Sequence, residues 1–298
     1  MRRVQALVMA LALLAGPAGA KEPPVHPAVV SDPAPDAAYP AGMDALVIPA
    51  GDGAMNGVMY TAAGAGTHPT LLLLHGFPGN EQNLDLAQAA RRAGWNVLTL
   101  HYRGSWGSPG VFSFANAAQD AWTALLFLEQ SATVARYRVD TSAIVVAGHS
   151  MGGFMAADAA AAEPRVAGLF LIDPWDPSET AESLATPQGE AAWKAEVAGD
   201  LPPLAGATYD SLTAEIRTHA DRFDLGHRLI AYARRPLTIV GAERGIGATA
   251  RKLGAQAQGG NPDAQLMVWP TDHSFSDKRI ALADALVRFL KSVAPTAR

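Results

Sequence analysis

The sequence predicts an α/β fold in which a mostly parallel sheet is flanked by helices on both faces. Short apolar runs alternate with longer helical patterns through most of the 298-residue chain. These runs are almost continuously apolar, as expected for strands that are buried on both faces. The chain length suits one large α/β domain with an insertion better than two independent cores.

The predicted elements begin with an antiparallel hairpin, whose strands at 45–48 and 57–60 flank the turn-forming segment Gly51-Asp52-Gly53. The alternating pattern follows this hairpin. In order, it predicts a strand at 70–74, a helix at 84–93, a strand at 96–101, a helix at 116–130, a strand at 143–147, a helix at 153–162, a strand at 166–172, a strand at 237–240, a helix at 248–258, a strand at 265–269 and a helix at 277–293.

Residues 174–235 interrupt the alternation between core segments 44–173 and 236–298. A connection of this length is too long for a simple crossover loop, since typical connections are a few residues long. Helical patterns at 191–197 and 211–233 predict a small helical cap or lid. Acidic residues outnumber basic ones in this insertion, which we interpret as solvated helix faces.

The amino-terminal segment predicts export. Residues 1–20 combine Met1-Arg2-Arg3, an apolar run at 4–15 and the small-residue cleavage pattern Ala18-Gly19-Ala20. The run is too short to span a bilayer, so we predict a cleaved signal peptide and a periplasmic or secreted protein without stable membrane insertion; an uncleaved anchor is the alternative. Residues 21–43 contain six prolines, which predicts an extended tether with neither helix nor paired strand.

Composition excludes several kinds of site. The chain has no cysteine, so it forms no disulfide and no thiolate metal site. A formal net charge of −5 argues against a nucleic-acid partner. The sequence has no HExxH, dinucleotide-binding or Walker pattern, and we therefore expect neither a metal nor an organic cofactor.

The most informative motif is a G-x-S-x-G pentapeptide, Gly148-His149-Ser150-Met151-Gly152. It stands directly after an apolar strand pattern and directly before an alanine-rich helical one. A serine at the tip of such a sharp turn is strained, and the flanking glycines allow the chain to pass close to it. We therefore predict that Ser150 is a nucleophile.

The base and the oxyanion hole can be predicted from position, because ligands bind at the carboxyl ends of parallel strands. His273 is the only histidine between the last strand and the last helix, and we predict that it is the general base. Backbone N–H groups of Met151 and Phe77 are predicted to form the oxyanion hole, since Pro78 has no N–H to offer. The alternative for the segment around Phe77 is an ordinary Gly-Pro turn.

The chain resembles the α/β-hydrolase superfamily over nearly all of residues 44–295. The resemblance is carried by the elbow motif and by the segments His75-Gly76-Phe77-Pro78-Gly79, Tyr102-Arg103-Gly104-Ser105-Trp106-Gly107-Ser108 and Asp272-His273-Ser274-Phe275. In most members the triad acid follows the strand that here ends Ile239-Val240-Gly241. The acid of these members lies three residues after the glycine that here is Gly241. Arg244 occupies this position, and an arginine cannot accept a hydrogen bond from the imidazole N–H.

A minority of the superfamily places the acid one strand earlier. There the chain reads Asp173-Pro174-Trp175-Asp176, which resembles the Asp-Ala-Trp segment of platelet-activating-factor acetylhydrolase-like esterases. The resemblance thus implies Asp173 as the acid, with Glu243 as the second candidate and Asp176 as the third. A turn-capping role before proline is the alternative for Asp173.

These residues predict a serine hydrolase that cleaves small-molecule carboxylic esters through an acyl-enzyme intermediate. A serine peptidase and a catalytically silent binding protein of the same fold are the alternatives. We also expect Phe77, Trp106 and Trp175 to line an acyl pocket, and Tyr102-Arg103-Gly104 to have a structural role.

Overall fold

The structure is a computed structural model that describes residues 24–294. The strands of this range are β1 (Gly42–Ala50), β2 (Gly53–Thr61), β3 (His68–Leu74), β4 (Asn96–His101), β5 (Val139–His149), β6 (Gly168–Ile172), β7 (Leu237–Arg244) and β8 (Gln265–Asp272). The helices are α1 (Pro27–Val30), α2 (Leu84–Arg92), α3 (Phe114–Glu129), α4 (Ser131–Tyr137), α5 (Met151–Ala162), α6 (Pro177–Ser183), α7 (Pro187–Asp200), α8 (Tyr209–Thr218), α9 (Leu225–Tyr232), α10 (Gly247–Gly260) and α11 (Arg279–Val293).

The described strands form one eight-stranded sheet in the order β1-β2-β4-β3-β5-β6-β7-β8. Strand β2 is antiparallel to both of its neighbours, and every pair from β4 to β8 is parallel. The predicted mostly parallel α/β class is therefore confirmed. Because the parallel strands share one direction, the turns after β3, β5, β6, β7 and β8 all lie at one edge of the sheet.

Both faces of the sheet are buried, and alternate residues of one strand enter different cores. In β3, Leu72 and Leu74 join the core that contains α3, α5 and α10, while Leu71 and Leu73 join the core that contains α2 and α11. This arrangement explains why the strand is apolar throughout instead of alternating.

Four helices, α6 to α9, lie between β6 and β7, in the segment predicted as a cap. They pack closely on the rest of the chain. Trp193 of α7 and Leu212 of α8 are buried in the same core as α3 and α5. Residues 203–205 also exchange backbone hydrogen bonds with the loop after β4, through Trp106, Phe112 and Gly104.

Two helix predictions were incomplete. The pattern at 211–233 predicts one helix, but α8 ends at Thr218 and α9 begins at Leu225. The break has a local cause, because the side chain of Asp224 accepts a hydrogen bond from the backbone N–H of His227 and starts a new helix. Helix α4 was not predicted; it is short and ends at Arg138, which has a left-handed conformation.

The predicted tether at 21–43 departs from the structure at 27–30 and at 42–43, while residues 31–41 contain no helix or strand. Residues 27–30 form α1, in which Pro27 stands at the start, where a missing N–H costs nothing. The segment is also attached to the domain: the N–H of His26 donates to Asp284 over 2.6 Å, and Arg92 donates to the carbonyl of Ala28 over 2.6 Å. Strand β1 already begins at Gly42.

The predicted signal peptide at 1–20 lies outside the described residues. No helix within residues 24–294 has both the length and the apolar character that a membrane crossing requires.

Candidate active site

Ser150 lies at a sharp turn between β5 and α5. Its backbone has φ 54° and ψ −122°, a strained conformation for a residue with a side chain. A Cβ atom at Gly148 would overlap the backbone of Gly152, and one at Gly152 would overlap the carbonyl of Leu74. Both glycines of the motif are therefore required by close backbone approach.

Backbone hydrogen bonds hold this strained turn. The N–H of Ser150 donates to the carbonyl of Ile172 over 2.9 Å, and the carbonyl of Ser150 accepts from the N–H of Trp175 over 3.0 Å. Both partners belong to the end of β6 and the loop that follows it. The turn of β5 is thus attached to the neighbouring strand that carries Asp173.

The structure brings Asp173 into contact with His273. Nδ1 of His273 is 2.6 Å from Oδ2 of Asp173, whose side chain is fully buried. The carboxylate also accepts from the backbone N–H groups of Ala242 and Ile246, each over 2.9 Å. These bonds orient the carboxylate toward the imidazole and compensate for its burial.

A glycine makes this contact possible. A Cβ atom at position 245 would overlap Oδ2 of Asp173 and would lie 3.0 Å from Cα of His273. The turn after β7, where most relatives are expected to carry the acid, is therefore occupied here by the carboxylate of Asp173. Gly245 was not singled out in the sequence, although it stands beside the position where the superfamily acid is missing.

The other two acid candidates lie elsewhere. Glu243 forms an exposed ion pair with Arg251 over 2.9 Å. Asp176 caps α6 by accepting from the N–H of Ser178, and it also accepts from the N–H of Leu225. Of the three candidates, the structure brings Asp173 alone to His273.

His149, the variable residue of the elbow motif, contacts His273, and this role was not predicted from the sequence. Its Nε2 lies 2.8 Å from the carbonyl oxygen of His273, and the two rings are 4.6 Å apart. Burial lowers the pKa of His149 to about 3, with the positive charge of a protonated His273 as a further cause. His149 is therefore neutral at neutral pH, and its Nε2–H donates to the carbonyl.

The predicted oxyanion loop, residues 75–79, approaches the elbow closely. A Cβ atom at Gly76 would lie 2.9 Å from Cβ of Ser150. Nδ1 of the buried His75 lies 2.7 Å from the carbonyl of Gly76, and burial lowers the pKa of His75 to about 4. His75 is thus neutral and holds the loop by donating through Nδ1. Phe77 and Met151 both line the cavity beside Ser150.

Trp106 has a different position from the predicted one. It does not line the cavity; its side chain is 42% exposed, and its Nε1–H donates to the carbonyl of Pro78 over 2.8 Å. It therefore holds the outer side of the loop at residues 75–79. The prediction that Trp106 lines an acyl pocket is wrong, since Trp106 is not among the residues that line the cavity at Ser150 and its indole N–H is bonded to Pro78 instead.

The cavity at Ser150 has a volume of about 250 Å³. Its lining residues are Phe77, Ser150, Met151, Trp175, Trp193, Glu196, Gly245, Ile246 and His273. Trp193 and Glu196 come from α7, and the sequence did not indicate either of them. A larger cleft of about 910 Å³ along β8 and α11 contains none of the predicted site residues.

The described residues contain no group of three or more His, Asp or Glu side chains placed to hold a metal ion. What the cavity does bring together is a hydroxyl, an imidazole bonded to a buried carboxylate, and apolar walls. This set can perform nucleophilic and general-base chemistry.

Comparison with known proteins assigns the class. Residues 71–292 match the alpha/beta hydrolase family, so the chain belongs to that family. It is 29% identical over 144 residues to the sn-1-specific diacylglycerol lipase ABHD11 of Xenopus tropicalis; the match covers 47% of this chain and 42% of that relative. The chain thus spans less than half the length of that relative.

Two solved structures are similar in fold. The Pyrococcus furiosus esterase Pf2001 superimposes with a TM-score of 0.62 at 16% identity, covering 86% of this chain and 94% of that one. EstE1, a thermophilic carboxylesterase cloned from a metagenomic library, superimposes with a TM-score of 0.59 at 21% identity, covering 90% of this chain and 92% of that one. At these identities the likeness concerns the fold alone.

Proposed function

We propose that the protein is a serine hydrolase that cleaves carboxylic esters of small molecules. The single observation that carries the proposal is the hydrogen bond between His273 and the buried Asp173 beside the strained Ser150 turn. Family membership supports a hydrolase, and the esterase and lipase relatives support an ester as the substrate.

In this mechanism, Nδ1–H of His273 donates a hydrogen bond to Asp173, which leaves Nε2 unprotonated and free to take the proton of Ser150. The hydroxyl oxygen then attacks the ester carbonyl, and the N–H groups of Phe77 and Met151 stabilise the oxyanion that forms. Collapse of the tetrahedral intermediate releases the alcohol, which receives the proton from His273. Water then attacks the acyl-enzyme while His273 accepts a proton from it. Ser150 leaves, takes this proton back from His273, and the carboxylic acid is released.

We also propose that Asp173 is the triad acid, placed as in platelet-activating-factor acetylhydrolase-like esterases. Support comes from its three hydrogen bonds and from the bare Cα of Gly245. The carboxylate would hold His273 in the tautomer that the mechanism needs and would stabilise its charged form.

The test combines labelling with turnover. A fluorophosphonate probe should label the parent protein at Ser150, and short p-nitrophenyl esters should be hydrolysed. Ser150→Ala should lose the label and reduce turnover by up to about a million-fold, because the triad acts as a unit. Failure of the parent to react with the probe would favour a catalytically silent binding protein. Cleavage of aminoacyl anilides at rates similar to the esters would favour a peptidase.

The location of the enzyme in or outside the cell is a further proposal. We propose a periplasmic or secreted enzyme, on the basis of the charged, apolar and small-residue pattern in residues 1–20. Expression of the full-length gene followed by amino-terminal sequencing of the exported protein tests it, and the expected first residue is Lys21. A product that retains residues 1–20 in the soluble cell fraction would contradict it.

A further inference from the structure

The active-site cavity contains a carboxylate that the proposed ester hydrolysis does not use. Glu196 of α7 lines this cavity together with Trp175, Trp193 and His273. It also lines a neighbouring cavity of about 210 Å³, which shares Trp175, Trp193 and Ile246 with the first. Glu196 therefore lies in the wall that the two cavities share, and one of these is the cavity at Ser150.

Glu196 is exposed, and within residues 24–294 its carboxylate has no hydrogen bond or ion pair to another side chain. The other acidic side chains of the neighbouring cavity are engaged: Asp176 caps α6, and Glu179 pairs with Lys252 over 2.8 Å. Partial desolvation beside the cavity walls and the negative charge of nearby Asp200 raise the pKa of the Glu196 carboxyl, whereas the positive charge of a protonated His273 lowers it. A positive group beside this carboxylate would relieve both effects.

The walls around Glu196 are aromatic. The rings of Trp175 and Trp193 are nearly parallel, with an interplanar angle of 9° and centroids 6.3 Å apart. Phe77 adds a third ring, 6.4 Å from that of Trp193. Aromatic faces attract cations, and rings combined with a carboxylate suit an ammonium group. None of the residues lining the two cavities is a lysine or an arginine.

We propose that Glu196, with the rings of Trp175 and Trp193, binds an ammonium group of the substrate, so that the enzyme prefers esters that carry a positive charge. This inference rests on the proposed function and names its substrate class. Glu190, six residues earlier on α7, differs from Glu196 because it pairs with Arg217.

The experiment compares esters that differ only in charge. Acetylcholine and its neutral isostere 3,3-dimethylbutyl acetate place the difference in the alcohol part. Leucine ethyl ester and ethyl 4-methylpentanoate place it in the acyl part. We expect the parent enzyme to prefer the charged member of at least one pair by about tenfold in kcat/KM, equivalent to about 1.4 kcal/mol. The pair that shows the preference tells which part of the substrate carries the cation.

Two variants and a control assign the effect to Glu196. Glu196→Gln should bring the charged-to-neutral ratio of kcat/KM close to one, and Glu196→Lys should invert the preference. Asp221→Asn is the matched control, since Asp221 is exposed between α8 and α9 and lines neither cavity. The thermal midpoint of each variant shows that it is folded.

A second measurement does not depend on turnover. Choline should slow fluorophosphonate labelling of Ser150 at about tenfold lower concentration than 3,3-dimethylbutan-1-ol, and Glu196→Gln should remove this difference. Labelling without any charge preference in either assay, or a preference that survives Glu196→Gln, would overturn the inference and leave the proposed function standing. Absence of both labelling and turnover would instead overturn the proposed function.

Discussion

Nδ1 of His273 lies 2.6 Å from Oδ2 of Asp173, although the two residues are 100 positions apart in the chain. The contact crosses the sheet from the loop after β8 to the end of β6, over the intervening strand β7. It is possible because the turn after β7 carries no side chain at Gly245, and because the N–H of Ala242 in β7 and the N–H of Ile246 after it both donate to the carboxylate.

The contact between Asp173 and His273 yields the first prediction. Asp173→Asn should keep the fold but present an amide to the imidazole, hold the wrong tautomer, and reduce kcat by up to about ten-thousand-fold. Glu243→Gln is the matched control, because Glu243 pairs with Arg251 at the surface, and it should change kcat by less than about tenfold. Rates of both variants with one p-nitrophenyl ester decide between the acids. A collapse in Glu243→Gln alone would show that the acid follows β7.

Gly245 supplies the second prediction. Gly245→Ala places a methyl group where Oδ2 of Asp173 now lies, so the carboxylate must move away from His273. We expect kcat to fall by about a hundredfold or more with a smaller change in KM, because a displacement of about 1 Å has such costs in catalysis.

The control for this substitution is Gly259→Ala in α10. A Cβ atom there has nothing within 4 Å, and alanine favours the helix. Gly259→Ala should leave kcat unchanged and raise the thermal midpoint slightly. Equal kinetics for the two variants would mean that the turn at 245 does not hold Asp173 in its catalytic position.

The sequence allowed the fold and the position of the site to be predicted because both follow from local patterns. Buried parallel strands are continuously apolar, and the motif around Ser150 needs two glycines within five residues. The role of His149 could not be predicted in this way, since its partner is a backbone carbonyl 124 residues later. Glu196 and Trp193 were missed for the same reason: they reach the cavity through the packing of α7, which no local pattern encodes.

For the amino-terminal segment, the sequence predicted less structure than the protein has. Its six prolines predicted an extended tether with neither helix nor paired strand, and composition is a reasonable guide when no partner is known. The structure supplies the partners, in Arg92 of α2 and Asp284 of α11. A few hydrogen bonds to helices distant in sequence are enough to attach this segment.

The third prediction concerns stability and pH. In the folded protein, burial lowers the pKa of His149 to about 3, against an ordinary value of 6.5. The unfolded chain therefore binds more protons between these values, and the free energy of unfolding decreases as the pH falls from about 6.5 toward 3. The slope from this residue alone approaches about 1.4 kcal/mol per pH unit near pH 5.

His149→Phe isolates this contribution. Urea denaturation of the parent and the variant from pH 7 to pH 4.5 should give a shallower loss of stability in the variant. His227→Phe is the control for the loss of an imidazole at the surface, since His227 is exposed at the start of α9. Parallel slopes for the parent and His149→Phe would contradict the assignment of a neutral, buried His149.

The last prediction concerns the helical insertion, which the sequence predicts as a small cap or lid. Removal of residues 178–232 should prevent folding, because α7, α8 and α9 contribute large side chains to the same core as α3 and α5.

A single substitution therefore tests the pocket better than a deletion. Trp193→Leu removes an aromatic wall of the cavity at Ser150. We expect the ratio of octanoate to butanoate hydrolysis to rise at least several-fold. The reason is that each methylene accommodated in an apolar pocket contributes about 1–3 kcal/mol. Trp122→Leu on the exposed side of α3 is the control and should not alter the ratio. The ratio of kcat/KM values for p-nitrophenyl octanoate and butanoate is the measurement, and an unchanged ratio in a folded Trp193→Leu protein would show that α7 does not define the acyl pocket.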